Sequence, residues 1–267
     1  MFGVVPKQLW SRTNPADNLN LCTWAMRSLL VEVGSRRVLI DCGIGQKQSE
    51  KFFSHYHLHG DHSLDQGLAS AGCSREDITD VFLTHLHFDH VGGAVERLSN
   101  GQLRPTFPNA TYWSNADHWE WAMAPNPREK ASFLKENLEL IHSSGQLNNI
   151  SVPNGYIKKN SLLGLDVFFV DGHTEKQMLP IIKYKNKTIC FMADLLPTVG
   201  HIKLPFIMGY DVRPLKTLEE KDVFLKLAAN DNYYLFLEHD PTHELITVKQ
   251  TDKGVVVDET LLLKDIL

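Results

Sequence analysis

The chain has no apolar run approaching the roughly 20 residues that a membrane-crossing helix needs. It has no C-x-x-C pair. Its four cysteines, Cys22, Cys42, Cys73 and Cys190, are scattered, so free thiols in a reducing compartment are expected rather than a disulfide framework. It has no basic excess. A net charge of −5 gives no pull toward nucleic acid or an anionic membrane, and neither is expected as a partner. The opening Met1–Lys7 lacks the charged region and apolar stretch of a secretory signal, so a cytoplasmic location is expected. No internal repeat, low-complexity segment or linker interrupts the 267 residues, and one domain over 1–267 is expected. Hydrophobic content of 43% and charged content of 22% are those of an ordinary globular chain, long enough to bury a core.

Histidine is what the chain has in excess, 13 in 267 residues. Three of them fall with a carboxylate in Thr84-His85-Leu86-His87-Phe88-Asp89-His90-Val91-Gly92-Gly93, straight after the apolar run 78–83. Neutral imidazole and carboxylate are ligands that zinc takes. A strand running into a tight loop can aim such side chains at one point, and the glycine pair lets the chain turn back closely. The segment predicts half of a metal site. A second H-x-H-x-D-H copy lies at His57-Leu58-His59-Gly60-Asp61-His62. It follows a polar and aromatic stretch and runs into a helix start with Asp61 or Ser63 as cap, where side chains diverge. Context therefore favours the His85 copy, and the His57 copy is expected to be a solvated loop and helix entry.

Residues 21–33 and 37–40 predict a β-hairpin around Gly34-Ser35 that ends in Asp41-Cys42-Gly43. Asp41 has two readings, a turn carboxylate bonding nearby backbone and a support for a metal-binding histidine. Residues 94–98 predict a short helix, 109–113 a strand, and 114–144 a helical excursion broken near Pro125-Asn126-Pro127. Trp113, Trp119 and Trp121 lie in this region. They read as aromatic packing, with Trp119 also a candidate pocket wall. Strands are expected at 166–170, 178–184, 187–192 and 233–237, an amphipathic helix at 217–230, and two short strands at the end. His85, His173, Asp194 and His239 each fall just past the C-terminal end of a predicted strand, where a rigid scaffold gathers residues distant in sequence.

Thr84-His85 through His90-Val91-Gly92-Gly93, then Gly172-His173-Thr174, Ala193-Asp194 and Glu238-His239-Asp240, resemble the metallo-β-lactamase superfamily. Leu39-Ile40-Asp41-Cys42-Gly43 resembles its early D-x-G turn, with Cys42 where threonine is common. The resemblance runs from about residue 20 to 245 and implies an α/β fold, an αββα sandwich of two mixed β-sheets flanked by helices. It implies that His85, His87 and His173 bind one metal, that Asp89, His90 and His239 bind a second, and that Asp194 bridges them. The cofactor implied is two zinc ions per chain, with other divalent metals remaining candidates. Asp194 is unlike the pattern of true β-lactamases, and His87 is unlike the flavo-diiron branch, which has an acid there. The helical excursion, Phe107–Tyr112 and the closing Glu238-His239-Asp240 look most like the branch of N-acyl-homoserine lactonases and methyl parathion hydrolase. The lactonases have a tyrosine three residues after the bridging aspartate; this chain has Pro197, and Tyr210 or His201 are the residues that could stand in.

The activity implied is a dinuclear zinc hydrolase. Shared between two metals, water falls from a pKa of about 15.7 to near neutrality, and the resulting hydroxide would attack an ester, lactone or phosphotriester of a small molecule. Asp89 would orient it and accept a proton, and Asp194 would hold the metals. The segment 196–206 is expected to line the pocket with Phe206, Met208 and His201 beside Trp119, and Tyr210 and Asp211 to anchor it. A glyoxalase II-like thioesterase and a mononuclear iron sulfur dioxygenase are the alternatives. A homodimer is left open.

Overall fold

The computed structural model describes residues 1–267, and its contacts divide the chain into two units, Ser28–Ile150, and Met1–Arg27 with Ser151–Leu267. No helix is long and apolar enough to cross a membrane. Helix α1 (Lys7–Trp10) precedes the first unit. That unit opens with strands β1 (Leu29–Val33) and β2 (Arg36–Ile40), an antiparallel hairpin turned at Gly34-Ser35. Short helices α2 (Glu50–Phe53) and α3 (Leu64–Ser70) follow, then β3 (Asp80–Phe82) and α4 (Phe88–Val91). Strands β4 (Val95–Arg97) and β5 (Leu103–Pro105) pair with each other. Next come β6 (Thr111–Ser114), α5 (Ala116–Met123), α6 (Lys135–Ser143) and β7 (Leu147–Asn149).

The sheet order is β1-β2-β3-β6-β7, with β2, β3, β6 and β7 mutually parallel. Parallel strands buried on both faces read as continuous apolar runs rather than alternations. That is why Ile78, Val81, Phe82 and Leu83 are all fully buried around β3. Each such side chain contributes about 1.5–3 kcal/mol by leaving water. The segment Thr84–His90 therefore leaves the C-terminal end of a central strand that packing holds rigid.

Residues 94–98, expected as a short helix, instead contain β4. Val95 gains burial, and the stretch gains partners in Arg104 and Pro105 after the turn at Asn100-Gly101.

The second unit contains β8 (Ile157–Leu162), β9 (Leu165–Val170), β10 (Gln177–Tyr184), β11 (Lys187–Phe191), helix α7 (Pro214–Asn230), β12 (Tyr234–Phe236), β13 (Leu245–Thr251) and β14 (Gly254–Leu261). They form one sheet in the order β14-β13-β12-β11-β10-β9-β8. The closing strands are seven and eight residues long, not short. Strand β9 is antiparallel to β10, β10 is antiparallel to β11, and β11 is parallel to β12. Two reversals restore direction, so β9, β11 and β12 end at the same edge of the sheet. His173, Asp194 and His239 follow those three ends.

Candidate metal centre

In the unit 28–150, the ring nitrogens His85 Nε2 and His87 Nδ1 are 3.1 Å apart. The ligand atoms of Asp89 and His90 lie within 4.8 Å of each other. His85 and His90 are fully buried and His87 nearly so, while the Asp89 side chain is 31% exposed. Asp41, at φ +53° just past β2, collects this loop from behind. Its carboxylate accepts from the Thr84 amide at 2.8 Å and the Thr84 hydroxyl at 2.6 Å, and lies 3.0 Å from His90 Nδ1. The backbone and support readings of Asp41 hold together. His87 is backed from the other side, with Nε2 3.5 Å from Glu129 Oε1. Glu129 Oε2 in turn accepts from Trp121 Nε1 at 2.7 Å and Asn126 Nδ2 at 2.6 Å.

The glycine pair has a steric reason. A Cβ on Gly92 would sit 2.2 Å from the Ile44 carbonyl oxygen, and one on Gly93 would sit 2.1 Å from that of Cys42. The turn after β2 and the turn bearing His90 meet backbone to backbone.

In the other unit, Asp194 lies between two imidazoles. Its Oδ2 is 2.9 Å from His173 Nε2 and its Oδ1 is 3.0 Å from His239 Nε2. The far nitrogens are also held. His173 Nδ1 is 3.0 Å from Asp211 Oδ1, and His239 Nδ1 is 2.8 Å from the Ala25 carbonyl oxygen. Burial pulls the His173 imidazole down, but Asp194 and then Asp211 outweigh it and carry the group up to about 10. Two buried imidazoles thus converge on one buried carboxylate, a donor set suited to a divalent cation.

The other expected site residues fall in different places. Trp119 belongs to the apolar core of its unit, with Leu138 and Ile141. Tyr210 is 59% exposed. Phe206 is half-buried, its ring 6.5 Å from that of Phe2. His201 is buried beneath Phe2, stacked at 4.2 Å, with Nδ1 2.8 Å from the Thr198 hydroxyl. Met208 is buried.

The copy at His57 is different in kind. His57, His59 and His62 are exposed, His59 Nδ1 turns back 2.9 Å onto the His57 carbonyl, and none of them joins a converging ligand group. Ser63 caps α3 with Gln66 in a reciprocal capping box.

Two of the groups behind the imidazoles, Glu129 and the Ala25 carbonyl, were missed. Glu129 lies in an irregular stretch after Pro127, and Ala25 acts through its carbonyl. Neither carries a local signal.

A family model described as the Metallo-beta-lactamase superfamily matches residues 27–239. Among solved structures, the chain is similar to a probable metal-dependent hydrolase from Staphylococcus aureus, with 27% identity and a TM-score of 0.86 over 98% of this chain and 90% of that one. It is similar in fold to the hydrolase AbOPH of the beta lactamase superfamily, with 20% identity and a TM-score of 0.74 over 98% and 89%. It is also similar in fold to AidC, a dizinc quorum-quenching lactonase solved with a product, with 20% identity and a TM-score of 0.69 over 90% and 81%.

Proposed function

The chain belongs to the metallo-β-lactamase superfamily, with that family's α/β fold of mixed sheets and flanking helices, and from this premise we propose that it is a dinuclear zinc hydrolase of small-molecule esters, lactones or phosphotriesters. The observation that carries the reading is the tethering of the far nitrogens. His90, His173 and His239 each have Nδ1 held, by Asp41, Asp211 and the Ala25 carbonyl. Metal-binding imidazoles are fixed in this way, so that the opposite nitrogen keeps one direction and full basicity.

In this reading His85, His87 and His173 hold one metal, Asp89, His90 and His239 hold the second, and Asp194 serves both. The metals supply Lewis-acid polarisation of the substrate oxygen and a lowered pKa for water. The chain's own residues do the rest. Asp194, with one oxygen beside each of two fixed imidazoles, would set the spacing between the metals. Asp89 has a partly exposed carboxylate, so it can take the proton of the attacking water and pass it to solvent. His201 does not replace the lactonase phenol. Burial, and then the charge of Lys221, push it down to about 3, so near neutral pH it is an uncharged imidazole and not an imidazolium acid. Of the two residues, the exposed Tyr210 is the one that carries a phenol.

The test is metal analysis of the purified protein beside a panel of lactones, esters, phosphotriesters and thioesters. About two zinc per chain and turnover of a lactone, ester or phosphotriester are expected. His85→Ala and Asp194→Ala should each lower metal content and abolish turnover, and His59→Ala should leave both unchanged. A single iron with oxygen consumption would overturn the reading, and turnover of thioesters alone would replace its substrate class.

A further inference from the structure

The turn that carries His173 is gripped along its whole length by the start of α7 and the residues before it. The Val212 amide donates to the His173 carbonyl at 3.3 Å, and the Arg213 amide donates to that of Gly172 at 2.9 Å. Arg213 Nη1 donates to the Asp171 carbonyl at 2.7 Å. Thr217 packs so closely that a Cβ on Gly172 would lie 2.3 Å from its hydroxyl oxygen and 2.4 Å from its amide. One contact stands apart. Glu220 Oε1 accepts from the Asp171 amide at 2.9 Å, and its Oε2 accepts from the Gly172 amide at 2.9 Å. Glu220 is fully buried.

We propose that Glu220 is a positioning residue for the metal centre, whose carboxylate spans two consecutive amides and so fixes the direction in which His173 presents Nε2. The proposal rests on the reading of His173 as a ligand. The physical case has three parts. A carboxylate across neighbouring N–H groups fixes the peptide plane between them, and His173 is the next residue. A buried carboxylate costs free energy to desolvate, so packing alone favours an apolar side chain at this place in α7. In the other unit a buried carboxylate likewise braces a ligand-bearing turn, Asp41 accepting from the Thr84 amide and lying 3.0 Å from His90 Nδ1. Asp211 orients the imidazole about its ring, and Glu220 orients the backbone from which the ring hangs.

The substitution Glu220→Gln keeps the shape but turns an amide NH2 toward a peptide N–H. Metal-free protein would be titrated with zinc and, separately, with cobalt(II), whose visible spectrum reports ligand geometry. Expected results are a loss of zinc affinity of about 10-fold or more, an altered cobalt(II) spectrum and a retained circular dichroism spectrum. Glu220→Asp keeps the charge but is one methylene shorter, and should also weaken binding. It keeps the question open to measurement if the Gln variant fails to fold. Wild-type zinc affinity and an unchanged cobalt(II) spectrum in a folded variant would overturn the proposal. His173→Ala separates the two claims. If it binds zinc as the wild type does, the ligand reading fails. If it weakens binding and the Glu220 variants do not, only the positioning role fails.

Discussion

Sealed under Phe2 and held by Thr198, the His201 imidazole is neutral over the whole physiological range, burial carrying it down to about 3. The unfolded chain takes up this proton near pH 6.5. Between about 3 and 6.5 the unfolded state therefore binds more protons, and this residue's contribution makes stability fall as pH drops below 6.5. His201→Gln should be less stable than the wild type at pH 7, because it disturbs a packed ring. The gap in melting temperature should narrow as pH is lowered from 7 to 4.5, since the variant no longer has the buried imidazole to charge. Thermal unfolding of the two proteins over that range checks the sign, and a gap that widens in acid would contradict it. From its loop sequence alone, His201 reads as a polar pocket residue. Its burial depends on Phe2, which lies at the opposite end of the chain.

At the scale of elements, the decisive contacts are between turns. The turn after β2 and the turn carrying His90 are tied by the Cys42 amide to the His90 carbonyl at 2.8 Å and by the Gly93 amide to the Gly43 carbonyl at 2.9 Å. Gly93→Ala places a methyl 2.1 Å from the Cys42 oxygen, a clash that only backbone movement relieves. A cost of about 1–3 kcal/mol is expected, which is a fall in melting temperature of roughly 2–12 °C. Metal content should fall with it, because His90 lies in the displaced turn. Scanning calorimetry and metal analysis of the same preparation measure both, and a wild-type melting temperature would show that the turns can part at no cost. The glycine pair announced a tight turn in the sequence. The partner it turns against lies some fifty residues earlier and is set by the pairing of β2 with β3.

At the scale of the molecule, the chain leaves one unit and returns to it, with residues 1–27 and 151–267 together and 28–150 between them. A metal bound only by the folded chain stabilises it by mass action, by about 4 kcal/mol when free metal is a thousand times its dissociation constant. At about 2–4 °C per kcal/mol for a chain of this size, a strong chelator should lower the melting temperature by roughly 8–16 °C. Added zinc should restore it. An unchanged melting temperature would count against a tightly held metal.

The order of residues is enough to specify the family, the α/β fold and the strands that bear the histidine-rich segments. Those signals are local: apolar runs, glycine turns and imidazoles at strand ends, each read within about ten residues. Where local signal was weak it misled, as at 94–98, where pairing with β5 across a short turn made a strand within an expected helix. Only the folded chain could choose which group stands behind each imidazole. Asp41 is 49 residues from His90, Asp211 is 38 from His173, and Ala25 is 214 from His239. A hydrogen bond between buried groups depends on distance in space and on exclusion of water, and neither quantity is written in the spacing of residues along the chain.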